Sequence, residues 1–280
     1  MNSAGLGGIR QRLGSWDRRT SARGWHGLTA LVGVAGLVIQ FVVSARGGPE
    51  FTSDNAGVRI LRYLSYFTIQ SNILVTVTAA QLALRPDRDG PLWRMLRLTA
   101  LVCITTTGIV YATVLAGLLD LHGAGLVADY LLHYAMPVLA LLGWLLFGPR
   151  PRIGRATPVQ ILALPLLWAI YTLVHGAITD WYPYPFTDVV DHGYAVVVRN
   201  IVLVGVLVVA LGFAFRYGDR TLRPAPNPRH AEGHPRDFRT REEGVSPGPG
   251  AHSAAESASK SASNRGSSGA SKGLPGEAER

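Results

Sequence analysis

The chain has 280 residues, of which 48% are hydrophobic and 16% are charged, and its formal net charge is +9. The mean hydropathy is +0.21 although residues 217–280 are strongly polar, so a soluble globular protein is excluded as the first interpretation. Basic residues stand between apolar runs and at the chain ends, as membrane orientation requires, and no nucleic-acid partner is predicted. The single cysteine, Cys103, excludes an internal disulfide and a cysteine-based metal site.

Six apolar runs are long enough to cross a bilayer as helices, because a hydrocarbon core of ~30 Å needs about 20 residues. In chain order these predicted spans cover residues 24–44, 63–84, 95–119, 126–147, 158–178 and 194–216. Helices are required because hydrocarbon offers no partner for an unpaired backbone amide. We therefore predict an all-α, six-transmembrane-helix bundle over residues 24–216. A basic arm (1–23) precedes it, and a disordered basic tail (217–280) rich in Pro, Ser and Gly follows it.

The charges of the connecting segments predict the orientation of the bundle. Arginine is concentrated in the arm, in the loops after spans 2 and 4, and at the start of the tail. The loops after spans 3 and 5 contain no Lys or Arg, and the loop after span 1 has three Arg. The positive-inside rule then places both termini in the cytoplasm. The high content of Ala, Gly and Arg indicates a bacterial source and therefore a bacterial cytoplasmic membrane.

In this orientation the strongly polar and ionisable side chains within the spans collect in the outer halves, while the inner halves are mostly Leu, Val, Ala and Gly. These outer side chains are Thr68, Ser71, Asn72, Tyr111, Asp129, His133, Tyr171, His175 and Arg199. Ionisable groups are costly in lipid and should face one another or a wet cavity. The pattern predicts a polar cavity that opens outward and is walled by spans two to six.

The loop after span 5 contains the motif WYPYPFTD, residues 181–188. Its two prolines, Pro183 and Pro185, disfavour helix and favour an extended segment. Such a rigid aromatic loop suits either of two roles: a lid over the cavity or an anchor at the membrane surface.

Three segments carry a family resemblance: RYLSYFTIQSN in span 2, LLHYAMPVLALLGW in span 4 and DWYPYPFTDVVDHGY after span 5. Over residues 25–216 the chain resembles a bacterial six-span membrane family related to the eukaryotic androgen-induced-protein group. That group consists of intramembrane threonine hydrolases, which cleave esters between a fatty acid and a hydroxy fatty acid with a Thr and a His from different spans. The resemblance implies Thr68 and His133 for these roles, and a shift of three residues would put Ser65 in place of Thr68.

The residues themselves suit this chemistry. A Thr hydroxyl needs a base to take its proton, and His is the usual base near neutral pH. Asp129, one turn before His133, is placed to orient the imidazole. The predicted catalytic group is therefore Thr68, His133 and Asp129. The side chains predicted to line the cavity or to donate to an oxyanion are Asn72, Ser71, Tyr111, Tyr171, His175 and Arg199.

Three functions remain open at this stage. The first is hydrolysis of a lipid ester without a cofactor. The second is binding or transport of a lipid or other amphipathic small molecule, without catalysis. The third uses His ligands, with haem between His133 and His175 or zinc on His122, Asp129, His175 and His192, although no tight spacing such as H-E-x-x-H favours it. The sequence leaves open whether the protein is an enzyme and what its oligomeric state is.

Overall fold

The computed structural model describes residues 3–47, 53, 55–118 and 120–222. All regular secondary structure within this part of the chain is helical, as predicted. The helix of the last span continues to Thr221, so the first residues assigned to the tail are helical. The predicted disorder of the tail from residue 223 onward lies outside the described residues.

Within the described residues, six helices are long and apolar enough to cross a membrane, which confirms the predicted number. These spans 1 to 6 are Arg18–Ala45, Phe67–Leu84, Pro91–Leu115, Gly123–Phe147, Thr157–Thr179 and Val189–Thr221. Span 1 is part of a longer helix, Ser3–Ala45. Span 6 is interrupted near its start at Gly193, whose φ of 72° is one that side chains rarely tolerate, so the regular helix begins at the predicted position.

Span 2 differs from the prediction of one helix over residues 63–84. The structure has a separate helix, Ala56–Ser65, then an extended residue, Tyr66 (φ −69°, ψ 129°), and then the span helix Phe67–Leu84. The break contains no Gly or Pro, and so the local sequence carries no signal for it.

Two side chains from distant parts of the chain bond the backbone groups at this break. The indole nitrogen of Trp168, in span 5, donates to the carbonyl oxygen of Ser65 at 2.9 Å. The hydroxyl of Tyr184, in the loop after span 5, accepts the amide of Thr68 at 3.1 Å. Because backbone groups in a membrane must be bonded within the protein, these tertiary contacts stabilise the break. Thr68 consequently lies in the first turn of a helix.

Spans 3 and 4 each contain a π-helical turn, at Tyr111–Leu115 and Leu131–Ala135. In span 4 the cause is Pro137, which has no N–H to donate to the carbonyl of His133 and whose ring crowds that carbonyl. A Cβ at Gly108 in span 3 would lie 3.0 Å from Pro137 Cγ. The two helices therefore meet closely one turn before Tyr111.

Spans 2 and 3 form the centre of the bundle, with 56% and 50% of their most apolar windows buried, against 17% for span 6. The main core cluster includes Val75, Leu98, Leu101, Ile104, Met136 and Val208. Large apolar side chains on the outside, such as Leu31 and Ile178, are at least 70% exposed. Such an apolar exterior is expected for helices that face lipid.

Acidic side chains hold together the end of the bundle that carries the arginine-rich loops. Asp89 forms a bidentate ion pair with Arg94, at 2.7 and 2.8 Å. It also lies 3.3 Å from the guanidinium of Arg152. The buried carboxylate of Asp219, in span 6, accepts hydrogen bonds from the backbone amides of Arg152 and Ile153, at 2.7 and 2.8 Å. The loops after spans 2 and 4 are thereby fixed to each other and to span 6.

Candidate functional site

A cavity of about 460 Å³ lies at the opposite end of the bundle. Its walls come from span 1 (Gln40), the Ala56–Ser65 helix, spans 2, 3 and 4, and the loop after span 5. The prediction that spans 2 to 6 form the walls is wrong in part. Span 1 lines the cavity, and spans 5 and 6 do not. The depth of polar residues in a sequence carries no information about which helices are neighbours.

Thr68, His133 and Asp129 all line this cavity, and their side chains form a continuous chain of contacts. Thr68 Oγ1 lies 3.2 Å from His133 Nε2. On the other side of the ring, His133 Nδ1 lies 2.8 Å from Asp129 Oδ1. Thr68 and Asp129 are 5% and 8% exposed, so the contacts are made largely away from bulk solvent, where hydrogen bonds are stronger.

The bonds to Asp129 determine which nitrogen of His133 carries the proton. The second carboxylate oxygen of Asp129 accepts the Tyr111 hydroxyl at 2.6 Å. A carboxylate accepts both bonds, and a proton on His133 Nδ1 is then directed at Asp129. That tautomer leaves a lone pair on Nε2, the atom beside Thr68 Oγ1. The imidazole is thus oriented to accept a proton from the Thr68 hydroxyl.

Tyr111 supports His133 by packing as well as through Asp129. The two rings stack, with centroids 3.9 Å apart and an interplanar angle of 14°. Tyr111 begins one of the two π-helical turns, and His133 lies within the other. Such turns occur frequently at functional sites because they redirect side chains from the regular helical positions.

Tyr184 lies at the candidate site, although the sequence did not predict a role for it. Besides accepting the Thr68 amide, its hydroxyl lies 3.2 Å from Thr68 Oγ1. Its ring is 8% exposed and stacks on Phe186, with centroids 5.3 Å apart. The motif WYPYPFTD was recognised in the sequence, but its spacing gave no indication that its second Tyr reaches span 2.

The WYPYPFTD loop forms a wall of the cavity through Pro183, Tyr184 and Pro185. The prediction of an extended segment is wrong for Pro185–Thr187, which form one 3-10 turn. Proline is well tolerated at the first position of a helical turn, where its missing amide is not needed. Of the two roles left open for the loop, the position of these residues fits a cover over the cavity.

Asn72 and Ser71 do not line the cavity but form hydrogen bonds to the backbone of Thr68. Both side chains are fully buried, and both donate to the carbonyl oxygen of Thr68, at 2.8 and 3.0 Å. Asn72 also donates to the carbonyl of Leu132 at 3.2 Å, the residue before His133. Asn72 therefore links the backbone of Thr68 to the backbone beside His133.

The remaining candidates lie away from the cavity. Tyr171 bonds Ser65 Oγ through its hydroxyl at 2.6 Å. His175 packs edge-on against Trp181, with centroids 5.8 Å apart. Arg199 is exposed and contacts Asn200.

Ser65, the alternative to Thr68, also has other partners. Its hydroxyl bonds Tyr171 and donates to the carbonyl of Leu61 at 2.8 Å. The hydroxyl next to His133 is therefore that of Thr68. Within the part of the chain that the structure describes, no three His, Cys, Asp or Glu side chains cluster in a way that could hold a metal ion.

The fold and its lipid-facing exterior define a polytopic integral membrane protein. Comparison with protein-family models, curated proteins and solved structures finds no match for this chain.

Proposed function

We propose that this membrane protein hydrolyses a lipid ester, with Thr68 as nucleophile and His133 as general base. The observation that carries the proposal is the chain of contacts from Thr68 Oγ1 through His133 to Asp129 on the wall of a cavity. A hydroxyl, an imidazole and a carboxylate in this order are the parts of the triad used by unrelated serine hydrolases. The resemblance of three segments to an intramembrane threonine hydrolase family supports the same chemistry.

In the first half of the reaction, Thr68 Oγ1 attacks the ester carbonyl carbon while its proton moves to His133 Nε2. The carbonyl electron pair moves onto oxygen, and Asp129 stabilises the imidazolium that forms. Tyr184 is beside the attacking oxygen, where its O–H donates to the developing oxyanion. Thr68 also lies at the N-terminal end of a helix, whose dipole favours negative charge.

The tetrahedral intermediate then collapses, the ester C–O bond breaks, and His133 gives its proton to the leaving alkoxide. The acyl group is now held as an ester of Thr68. A water molecule attacks this ester while His133 takes its proton, and the returning proton regenerates the Thr68 hydroxyl as the acid leaves. No cofactor enters this sequence, and each proton that His133 accepts is returned in the next step.

The direct test is hydrolysis of a panel of lipid esters by the detergent-purified protein, with Thr68→Ala and His133→Ala as variants. Thr113→Ala and His175→Ala are matched controls, because they remove the same groups from spans 3 and 5 outside the cavity. Loss of turnover in the first pair alone supports the proposal. Turnover that survives in Thr68→Ala excludes Thr68 as the nucleophile. Binding of every ester without turnover excludes the hydrolase and leaves a binding protein.

We further propose that the cavity faces the outside and that both termini are cytoplasmic, on the basis of the arginine distribution. His122 and Ala156 are exposed residues in loops at opposite ends of the bundle. In intact cells, a membrane-impermeant maleimide should label His122→Cys and not Ala156→Cys, and lysis should make both reactive. The native Cys103 is buried and contributes little background. The reverse labelling pattern would invert the orientation.

A further inference from the structure

A second cavity, of about 230 Å³, lies between spans 5 and 6 on one side and spans 2 and 3 on the other. Its lining is almost entirely apolar and includes Val110, Leu162, Trp168 and Ile201. The volume and the apolar lining of this space suit a hydrocarbon chain of medium length.

The two cavities meet at the candidate nucleophile. Thr68, Leu115 and Tyr184 line both of them, whereas His133 and Asp129 line only the larger one. An ester whose carbonyl carbon is at Thr68 Oγ1 therefore has a different environment for each of its two branches. One branch extends into the larger cavity, toward the imidazole and the polar side chains. The other branch extends into the apolar cavity.

The position of His133 decides which branch goes where. His133 must donate its proton to the leaving oxygen and must later activate water, so the alcohol part departs from its side. We propose that the alcohol part of the ester occupies the larger cavity and that the apolar cavity binds the acyl chain. This assignment rests on the proposed chemistry of Thr68 and His133. It makes the apolar cavity the part of the site that selects acyl-chain length.

The apolar cavity also has a boundary toward the lipid. Leu166 and Val202 line it and are 58% and 57% exposed, so the cavity reaches the surface of spans 5 and 6. A chain longer than the cavity has a path into the surrounding bilayer between these helices. Acyl chains are then bound from the membrane, while the water for deacylation enters through the larger cavity.

Gly205 provides a way to fill the cavity without disturbing the bundle. It lines the cavity, and a Cβ added there would meet no other atom within 4 Å. Leucine is also a better helix former than glycine, so Gly205→Leu should fold. Val206 is the next residue, is 61% exposed and does not line the cavity, which makes Val206→Leu the matched control.

The test compares p-nitrophenyl acetate with p-nitrophenyl octanoate, which share a leaving group and differ only in the acyl chain. Gly205→Leu should lower kcat/KM for the octanoate by about tenfold to a hundredfold, the range that small steric changes produce in apolar pockets. The acetate should be hydrolysed at the wild-type rate, and Val206→Leu should leave both rates unchanged. Equal effects of Gly205→Leu on both esters, or no effect, would overturn the assignment.

A binding readout separates this inference from the proposed reaction. Octanoic acid that carries a photoactivatable diazirine should crosslink to peptides from spans 5 and 6 that line the cavity, and Gly205→Leu should abolish that label. If the wild type hydrolyses no ester but this label forms and is lost in Gly205→Leu, the cavity binds acyl chains and the hydrolase proposal fails. Label confined to other regions, or unaffected by Gly205→Leu, excludes the acyl cavity.

Discussion

The hydroxyl of Tyr184 lies 3.1 Å from the amide nitrogen and 3.2 Å from Oγ1 of Thr68. One phenol thus contacts both the backbone that starts a helix and the side chain that the proposed reaction uses. The first contact stabilises the break in span 2, and the second places a hydroxyl beside Thr68 Oγ1. In the proposed reaction, the WYPYPFTD loop therefore both positions the nucleophile and supplies a donor to the oxyanion.

Tyr184→Phe removes both contacts and keeps the ring. We expect kcat for ester hydrolysis to fall by about 10²-fold, the lower end of the range for loss of one oxyanion donor, with little change in KM. Tyr182→Phe is the control, since Tyr182 belongs to the same loop and packs against Gly176 but does not line the cavity. Equal activities of the two variants would contradict the role of Tyr184.

The choice between Thr68 and Ser65 as nucleophile has a simple test. Thr68→Ser keeps a hydroxyl beside His133, so it should retain measurable turnover, while Thr68→Ala should lose about 10³-fold or more in kcat. Ser65→Ala should remain active, because Ser65 bonds Tyr171 and Leu61 and not His133. Single-turnover kinetics would measure each rate. A dead Ser65→Ala with an active Thr68→Ala would reverse the assignment.

Asp129→Asn tests the orientation of the imidazole. The substitution keeps the shape of the side chain but removes its charge and replaces one of its two acceptor oxygens with an NH2 donor, so it cannot accept from both Tyr111 and His133 Nδ1. We expect kcat to fall by about 10³–10⁴-fold, as in other triads that lose this carboxylate. Asp120→Asn, at a fully exposed carboxylate, should behave as wild type. A comparable loss in both variants would point to a general effect of charge.

The arginine-rich end of the bundle should be sensitive to acid. Hydrogen bonds from Arg94 lower the pKa of Asp89 from 3.8 to about 2. A lowered pKa in the folded state means that the contribution of Asp89 to stability is complete above 3.8 and is lost as the pH falls toward 2.

We therefore expect the Tm of the protein in detergent, measured by scanning fluorimetry, to decline as the pH falls from 3.8 to about 2. The decline should be smaller in Asp89→Asn. Asp120→Asn serves as the control, because its carboxylate is almost fully exposed and lies 3.7 Å from His122 rather than in a close pair with an arginine. An acid profile of Asp89→Asn identical to that of the wild type would show that this ion pair does not contribute.

The helices were predictable from the sequence, because they depend on local and compositional signals, whereas the proposed pair of Thr68 and His133 came from the family resemblance. Apolar runs of sufficient length must form spanning helices, whatever surrounds them. Ionisable residues within such runs are rare enough to indicate a site, and this criterion selected Asp129 and His133. The same criterion also selected His175 and Arg199, which the structure places outside the cavity. The sequence indicates how deep a residue lies in the membrane, but not whether its side of the helix faces the cavity.

The geometry of the site was decided by contacts between residues far apart in the chain. The break before Phe67 exists because Trp168 and Tyr184 bond the backbone groups beside it, and those partners are about a hundred positions away. The stacking of Tyr111 on His133 likewise depends on the close approach of spans 3 and 4. The sequence alone determined a six-helix membrane protein with ionisable groups collected near one end. Only tertiary packing decided that Thr68, and not Ser65, meets His133, because hydrogen bonds from other spans set where the helix that carries Thr68 begins.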